Sequence, residues 1–198
     1  MRIVGGRYRG RAIAAPAGRG TRPTSDRARQ AVFNILEHAP WSPFGGGSGF
    51  GDVRVLDLFA GSGALGFEAL SRGAAFCLFV ETDEAARGAI RDTVEALGLF
   101  GCTRNHRRDA TDLGVRPGSA GEAFGLAFLD PPYGKGLGER ALERLAAGAW
   151  LAPGALLVLE DSVETPEPET PGYQRVDGRT YGAARVSFLR YTGGSASP

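Results

Sequence analysis

The fold is decided by the stretch Asp57-Leu58-Phe59-Ala60-Gly61-Ser62-Gly63-Ala64-Leu65-Gly66, which joins an apolar run to a helical pattern. It contains the spacing G-x-G-x-x-G, whose glycines let a backbone turn approach a ligand closely. Glu81 follows Gly61 by 20 residues, at the predicted end of the next strand, where a carboxylate can accept hydrogen bonds from ribose hydroxyls. The stretch therefore predicts a nucleoside-bearing cofactor, with a purely structural glycine turn as the less favoured alternative.

Apolar runs alternate with helical patterns on the C-terminal side of residue 52. The predicted strands are 53–59, 77–80, 103–108, 125–129 and 155–159, and the predicted helices are 64–72, 83–99 and 137–147. Two further strands, 173–176 and 185–191, complete the pattern, and the alternation in the second suits an antiparallel neighbour. Repeated strand and helix alternation predicts an α/β fold with a Rossmann-like, doubly wound, mostly parallel sheet.

The N-terminal segment lies outside this alternation. Residues 1–22 suit a short hairpin or extended arm that is poorly able to fold alone and leans on the main domain or on a ligand. A helix then begins after Thr24 or Ser25, either of which can serve as its N-cap. The inward-facing apolar stripe of this helix comprises Ala28, Val32, Ile35 and Leu36.

Four segments are predicted from these patterns. They are a basic arm and helix at 1–40, a flexible glycine-rich linker at 41–52, the cofactor-binding domain at 53–192 and a disordered tail at 193–198. The glycine-rich insert 45–51 and the proline-rich surface loop 166–171 have no assigned role.

Positive charge is concentrated at the N-terminus. Residues 1–36 contain eight arginines and one acidic residue, a net charge of +7 in a chain whose total is +1. Such a block favours contact with a polyanion, with a solvated basic surface as the alternative. The predicted RNA-binding residues are Arg7, Arg9, Arg11, Arg22 and Arg27, and Arg29 belongs to the same block. A helix N-terminus near Arg22, Arg27 and Arg29 also favours anions.

Carboxylates surround the predicted cofactor site. Asp57 precedes the glycine turn, Asp83 follows Glu81, and Asp109 follows the third predicted strand. A site rich in carboxylates disfavours the pyrophosphate of NAD and suits the cationic S-adenosylmethionine.

Cys77 and Cys102 are isolated in the sequence, so neither a disulfide nor a metal site is predicted.

A second motif follows the fourth predicted strand. Asp130-Pro131-Pro132-Tyr133 directly succeeds an apolar run, and the two prolines end that strand in a rigid turn. The turn presents a carboxylate, carbonyl oxygens and an aromatic ring at the carboxyl end of the strand, where open α/β sheets bind ligands. Taken alone, the tetrapeptide suits a strand terminator or a base-binding motif equally well.

Both motifs together resemble class I S-adenosylmethionine-dependent amino-methyltransferases. The narrower resemblance is to the RsmD-type 16S ribosomal RNA guanine-N2 methyltransferases, of the guanine-966 type. It rests on Arg22-Pro23-Thr24 with Arg27, on Phe33-Asn34-Ile35-Leu36, on Gly63 to Ala74 and on Tyr181-Gly182. The resemblance covers nearly the whole chain and departs from the family at 45–51 and 166–171.

The resemblance implies a role for each matching residue. Gly61 and Gly63 pass beneath the cofactor, Glu81 binds its ribose, and Asp109 with Ala110 binds its adenine. The predicted cofactor-binding set is Asp57, Phe59, Gly61, Gly63, Glu81, Asp83, Asp109 and Ala110, and the predicted catalytic set is Asp130, Pro131, Pro132 and Tyr133. The implied substrate is ribosomal RNA in an assembling or assembled small subunit.

Three alternatives remain open at this point. The same tetrapeptide serves DNA adenine-N6 and cytosine-N4 methyltransferases, although nothing in the chain is long enough for a separate target-recognition domain. A non-catalytic RNA-binding module with a vestigial cofactor fold is a second alternative, and an NAD-dependent oxidoreductase is a third.

The sequence has neither a signal peptide nor an apolar run of membrane-spanning length, so we expect a cytoplasmic protein without membrane contact. We also expect a monomer.

Overall fold

A single seven-stranded sheet lies at the centre of residues 1–16, 25–46 and 49–193, which the computed structural model describes. The strands are β1 (Arg54–Leu58), β2 (Phe76–Val80), β3 (Thr103–His106), β4 (Phe124–Leu129), β5 (Leu151–Ser162), β6 (Tyr173–Tyr181) and β7 (Ala184–Tyr191). The α-helices are α1 (Asp26–His38), α2 (Ala64–Ser71), α3 (Glu84–Leu97) and α4 (Leu137–Ala147). None of the helices in this part of the chain is long and apolar enough to cross a membrane.

The strand order is β3-β2-β1-β4-β5-β7-β6, and β7 runs in the opposite direction to the other six strands. The central strands end in register, because Leu58 pairs with both Val80 and Leu129, Val80 pairs with His106, and Leu129 pairs with Leu159. The residues that follow these five positions therefore share one edge of the sheet. The predicted doubly wound, mostly parallel α/β fold is confirmed.

Two apolar cores cover the two faces of the sheet. One face packs against the N-terminal arm, α1, α2 and α3, as the burial of Ile3, Phe33, Phe67 and Ile90 in one cluster shows. The other face packs against α4 through Leu142 and its neighbours. Alternate residues of the central strands enter opposite cores, which explains why these strands are mostly apolar.

Helix α1 begins as its sequence predicts. The Ser25 side chain accepts a hydrogen bond from the amide of Ala28 at 3.1 Å, which satisfies one of the free donors of the first turn. Val32 and Leu36 of the predicted stripe are fully buried, whereas Ala28 and Ile35 are only half-buried.

The N-terminal arm is folded against the domain, as predicted. Arg2 and Ala12 form an antiparallel bridge, and Ile3 and Ile13 are buried in the core. Ser71, at the end of α2, holds the tip of the arm: its carbonyl accepts from the Arg7 amide at 2.8 Å, and its hydroxyl accepts from the Tyr8 amide at 2.9 Å.

A buried ionic network joins α1, α2 and the arm. Glu68 is fully buried and accepts from the Val4 amide at 2.9 Å, while its oxygens lie 3.5 Å from Arg29 and 2.9 Å from Arg72. Arg72 also binds Glu37 at 2.8 Å. Arg29, which the sequence counts in the basic block, is fully buried and neutralises the Glu68 carboxylate instead of facing solvent.

The segment 41–52 is not the flexible linker that its glycines predicted, as far as its described residues go. Phe44 and Phe50 are buried and stack at 4.9 Å between ring centroids. Trp41 packs on Phe188 at 5.2 Å, and its carbonyl accepts a hydrogen bond from Arg190 at 2.5 Å. Three aromatic side chains therefore anchor a segment whose glycines suggested only mobility.

Strands β5 and β6 are longer than predicted. The residues that extend β5 and β6 at their C-terminal ends pair with β7, up to Ser162 with Ala184 on one side and Tyr181 with Ala184 on the other. At the start of β5, Leu151 pairs with Phe124 of β4. Many of these residues are polar and half-exposed, so they lack the apolar run of a central strand. The loop 166–171 lies outside the helices and strands, as predicted. The predicted tail falls, apart from Gly193, outside the described residues.

Candidate active site

The glycine turn joins β1 to α2 in a left-handed backbone conformation. Phe59, Gly61 and Gly63 have φ values of 55°, 54° and 75°. A Cβ atom on Gly63 would lie 2.8 Å from the Phe67 ring and 2.9 Å from the Phe79 ring, so only glycine fits there. Phe59 is the unusual member, because a bulky residue rarely adopts positive φ and such strain occurs mostly at functional sites.

Glu81, the first residue after β2, holds this turn. Its Oε2 accepts from the Gly61 amide at 2.8 Å, and its Oε1 accepts from the Asp83 amide at 2.9 Å. A carboxylate has about four lone-pair sites, so these contacts fix its orientation and leave acceptor capacity for a ligand. Its position suits the predicted contact with ribose hydroxyls.

Asp57 occupies a different position from the other carboxylates near the turn. It is 2% exposed, and its Oδ2 accepts from the Gly66 amide at 2.9 Å. Burial raises the pKa of Asp57 well above its usual range, and the nearby carboxylates of Asp130 and Glu81 raise it further. The buried Asp57 side chain thus holds the first turn of α2 through its hydrogen bond with the Gly66 amide.

Asp83 and Asp109 are exposed at the ends of β2 and β3. Asp83 caps α3, where its Oδ1 accepts from the Ala86 amide at 2.7 Å. Asp109 Oδ1 accepts from the Thr111 amide at 2.8 Å and from the Thr111 hydroxyl at 2.7 Å, and these bonds lower the pKa of Asp109. Ala110 beside it is buried.

These groups fit S-adenosylmethionine better than a pyrophosphate. The turn offers glycine backbone and uncharged side chains. The acid Glu81 follows β2, which is next to β1, and the acid Asp109 follows β3, which is next to β2. Acceptors of this kind suit hydroxyl, amino and cationic groups and would repel a phosphate. Within the described residues, no group of three or more His, Cys, Asp or Glu side chains could hold a metal ion.

The tetrapeptide Asp130 to Tyr133 lies at the same edge, one strand from the glycine turn. It follows Leu129, which pairs with Leu58 on one side and Leu159 on the other. Pro131 is buried, whereas Asp130 and Tyr133 are half-buried and Pro132 is exposed. Because Leu58 pairs with Leu129, the residues that follow them, Phe59 of the glycine turn and Asp130 of the tetrapeptide, begin side by side.

Glu160, which the sequence interpretation did not select, lies at the same edge and contacts the tetrapeptide. It follows Leu159 on β5, and its Oε1 accepts from the Tyr133 hydroxyl at 2.6 Å. The available signal was an acid directly after an apolar run, the same signal that identified Glu81. Because β5 continues to Ser162, Glu160 lies inside a strand rather than in a loop.

The predicted RNA-binding arginines do not form one group. Arg7, Arg9 and Arg11 are exposed at the tip of the arm, which Ser71 holds at the end of α2 farthest from the glycine turn. An eight-residue helix spans about 12 Å, so this tip is remote from Asp130. Arg27 lies on a different element, where it is exposed in the first turn of α1. Arg22 lies outside the described residues.

The start of the arm, in contrast, reaches the glycine turn. The Met1 sulfur lies 3.9 Å from the hydroxyl of Ser62, which is itself nearly buried. The arm therefore runs along α2, from the glycine turn at one end to the arginine-rich tip at the other.

Comparisons with known proteins agree with this site. The model of the family described as Conserved hypothetical protein 95 matches residues 1–190. Ribosomal RNA small subunit methyltransferase D of Escherichia coli is 37% identical over 171 residues, covering 86% of this chain and 79% of the relative. The Bacillus subtilis protein YlbH is 34% identical over 194 residues, covering 98% of this chain and 100% of the relative.

The comparison with solved structures also finds a methyltransferase fold. The Escherichia coli protein yhhF superposes with a TM-score of 0.79 at 32% identity, covering 97% of this chain and 98% of that one. The predicted enzyme class, a methyltransferase that uses S-adenosylmethionine, is confirmed. The roles of the individual residues stay predictions. The chain belongs to the Conserved hypothetical protein 95 family, that of the RsmD-type methyltransferases.

Proposed function

We propose that this enzyme methylates the exocyclic N2 of a guanine in 16S ribosomal RNA of the small subunit, by resemblance the guanine-966 type. The observation that carries the proposal is the position of Asp130-Pro131-Pro132-Tyr133 beside the glycine turn, at the shared edge of β1 and β4. Relatives named as small-subunit ribosomal RNA methyltransferases support the substrate class.

The chemical problem is the weak nucleophilicity of the amine. Its lone pair is delocalised into the purine ring, so the amine needs to be held with the lone pair directed at the methyl donor. The Asp130 carboxylate and the Pro131 carbonyl are both acceptors, and each can take one N–H of the amine. Positioning of this kind can supply roughly 7–11 kcal/mol of the barrier.

Tyr133 has a separate role in holding the base. Its ring offers a stacking surface, and base stacking contributes about 1–3 kcal/mol. The hydrogen bond from its hydroxyl to Glu160 fixes the ring before the base arrives. The target base has to leave its own stack to reach this edge, so an accessible or flipped nucleotide is required.

The cofactor residues are those around the turn. When bound, S-adenosylmethionine supplies an electrophilic methyl group on a positively charged sulfur. Glu81 would hold its ribose, Asp109 and Ala110 its adenine, and Gly61 and Gly63 would allow close backbone approach. Phe59, Asp57 and Asp83 shape the turn and the start of the neighbouring helices.

The arm and α1, residues 1–40, would bind the RNA on either side of the base. Arg27 is exposed in the first turn of α1, and Arg7, Arg9 and Arg11 are exposed on a separate element, the tip of the arm. That separation suits an extended RNA surface rather than a single nucleotide.

Residues 53–192 would form the methyltransferase domain. The protein would act as a monomer in the cytoplasm, on an assembling or assembled subunit.

One assay separates this proposal from its alternatives. Labelled methyl transfer is measured with naked 16S RNA, with assembled small subunits and with duplex DNA, and the product nucleoside is identified after digestion. We expect N2-methylguanosine from one of the RNA substrates. Methylated adenine or cytosine in DNA would establish the DNA alternative, and RNA binding without any transfer would establish the non-catalytic one.

A further inference from the structure

We infer that Glu160 reads the edge of the target base and selects guanine, an inference that rests on the proposed function. Glu160 and Asp130 follow the paired residues Leu159 and Leu129, so their backbones are neighbours on adjacent parallel strands. Such strands lie about 4.8 Å apart. Two carboxylates at this spacing can both reach one edge of a single base.

The face on which Glu160 projects supports this inference. Along β5, Leu156 and Val158 enter the core beneath the arm and α1, whereas Leu157 and Leu159 enter the opposite core. The alternation of a strand directs Glu160 to the side of Leu156 and Val158. This is the face that carries the basic N-terminal segment, from which the RNA would approach.

The contact with Tyr133 makes Glu160 a preorganised acceptor. Its Oε1 receives the Tyr133 hydroxyl at 2.6 Å, which uses one of about four lone-pair sites of the carboxylate. The bond fixes the orientation of the group beside the proposed base-stacking ring. Because Glu160 is only half-buried, its remaining acceptor sites can meet a ligand at the sheet edge.

Base chemistry makes an acceptor at this place selective. Guanine has an N1–H donor next to its exocyclic amine, whereas adenine N1 and cytosine N3 carry a bare lone pair at the corresponding place. With the amine held by Asp130 and the Pro131 carbonyl, Glu160 would accept from guanine N1–H. The same oxygen would repel the lone pair of adenine or cytosine, and a repulsive element of this kind strengthens specificity.

A base analogue tests the inference directly. 2-Aminopurine carries the same amine as guanine but has a bare N1. Once the methylated guanine is mapped, ligated RNAs carry either base at that position, and kcat/KM is measured for wild type, Glu160→Gln and Tyr133→Phe. We expect wild type to prefer guanine by at least about tenfold, since such contacts discriminate by roughly ten- to hundred-fold.

The variants separate base reading from support of Tyr133. Glu160→Gln can offer an amide N–H to the bare N1, so its guanine preference should narrow or reverse. Tyr133→Phe removes the contact that orients Glu160 but leaves its carboxylate, so this variant should still prefer guanine to 2-aminopurine, by a smaller factor than wild type, even if its rate falls. An equal loss on both RNAs in Glu160→Gln would overturn the inference. Absence of guanine methylation by wild type would overturn the proposed function itself.

Discussion

The Gly61 amide donates a 2.8 Å hydrogen bond to Glu81 Oε2, across two adjacent parallel strands. The bond joins the glycine turn to the acid that follows it by 20 residues. A single carboxylate therefore shapes the turn, and we expect its remaining acceptor sites to bind the cofactor.

Glu81→Gln should weaken S-adenosylmethionine binding. The amide keeps one oxygen but loses the charge and one acceptor, and hydrogen bonds to charged groups contribute about 1.5–3 kcal/mol. We expect the dissociation constant to rise at least about tenfold, measured by calorimetry. Glu84→Gln, an exposed acid in the first turn of α3, is the matched control and should bind like wild type. Equal affinities for both variants would remove Glu81 from the cofactor site.

Asp57→Asn should change how stability depends on pH. Burial raises the pKa of Asp57, so the folded state retains a proton that the unfolded state releases above the usual carboxyl value of 3.8. Wild-type stability is therefore complete below that value and falls as pH rises towards the raised pKa. The loss relative to the variant is at most about 1.4 kcal/mol per pH unit. Parallel pH profiles in urea unfolding would contradict this account.

Glu68→Gln should destabilise the fold more than Glu37→Gln. Glu68 is fully buried between Arg29 and Arg72, and removing one partner of a buried ion pair costs roughly 3–5 kcal/mol. The side chain of Glu37 is 28% exposed, so the same change there should cost about 1 kcal/mol or less. Urea unfolding of the two variants gives the comparison, and equal losses would mean that the network contributes little.

The sequence predicts the central sheet well because buried parallel strands are continuous apolar runs, as in β4. It fails where a residue's environment depends on distant partners. Arg29 resembles its exposed neighbours in sequence, and only the approach of Glu68 from α2 explains its burial. Phe44 and Phe50 order a glycine-rich segment through stacking that no local pattern contains. Glu160 contacts Tyr133 only because the strand register sets the end of the apolar run of β5 beside the end of β4.

Replacing Arg7, Arg9 and Arg11 together with glutamine should weaken RNA binding and flatten its salt dependence. Each lost phosphate contact lowers the slope of log K against log salt by about 0.7–0.9, so three should lower it by roughly two to three. Arg179→Gln is the control, because that exposed side chain on β6 already pairs with Asp177. A triple variant with the wild-type slope would mean that the arm tip is a solvated surface only.

Methyl transfer by Asp130→Ala tests the central claim most directly. The measurement is single-turnover transfer of labelled methyl from S-adenosylmethionine to small-subunit RNA, with cofactor affinity determined on the same preparation. If Asp130 holds the amine, transfer of N2-methylguanosine should fall at least about a hundredfold, while the cofactor dissociation constant stays close to wild type. Wild-type transfer by Asp130→Ala would contradict the account.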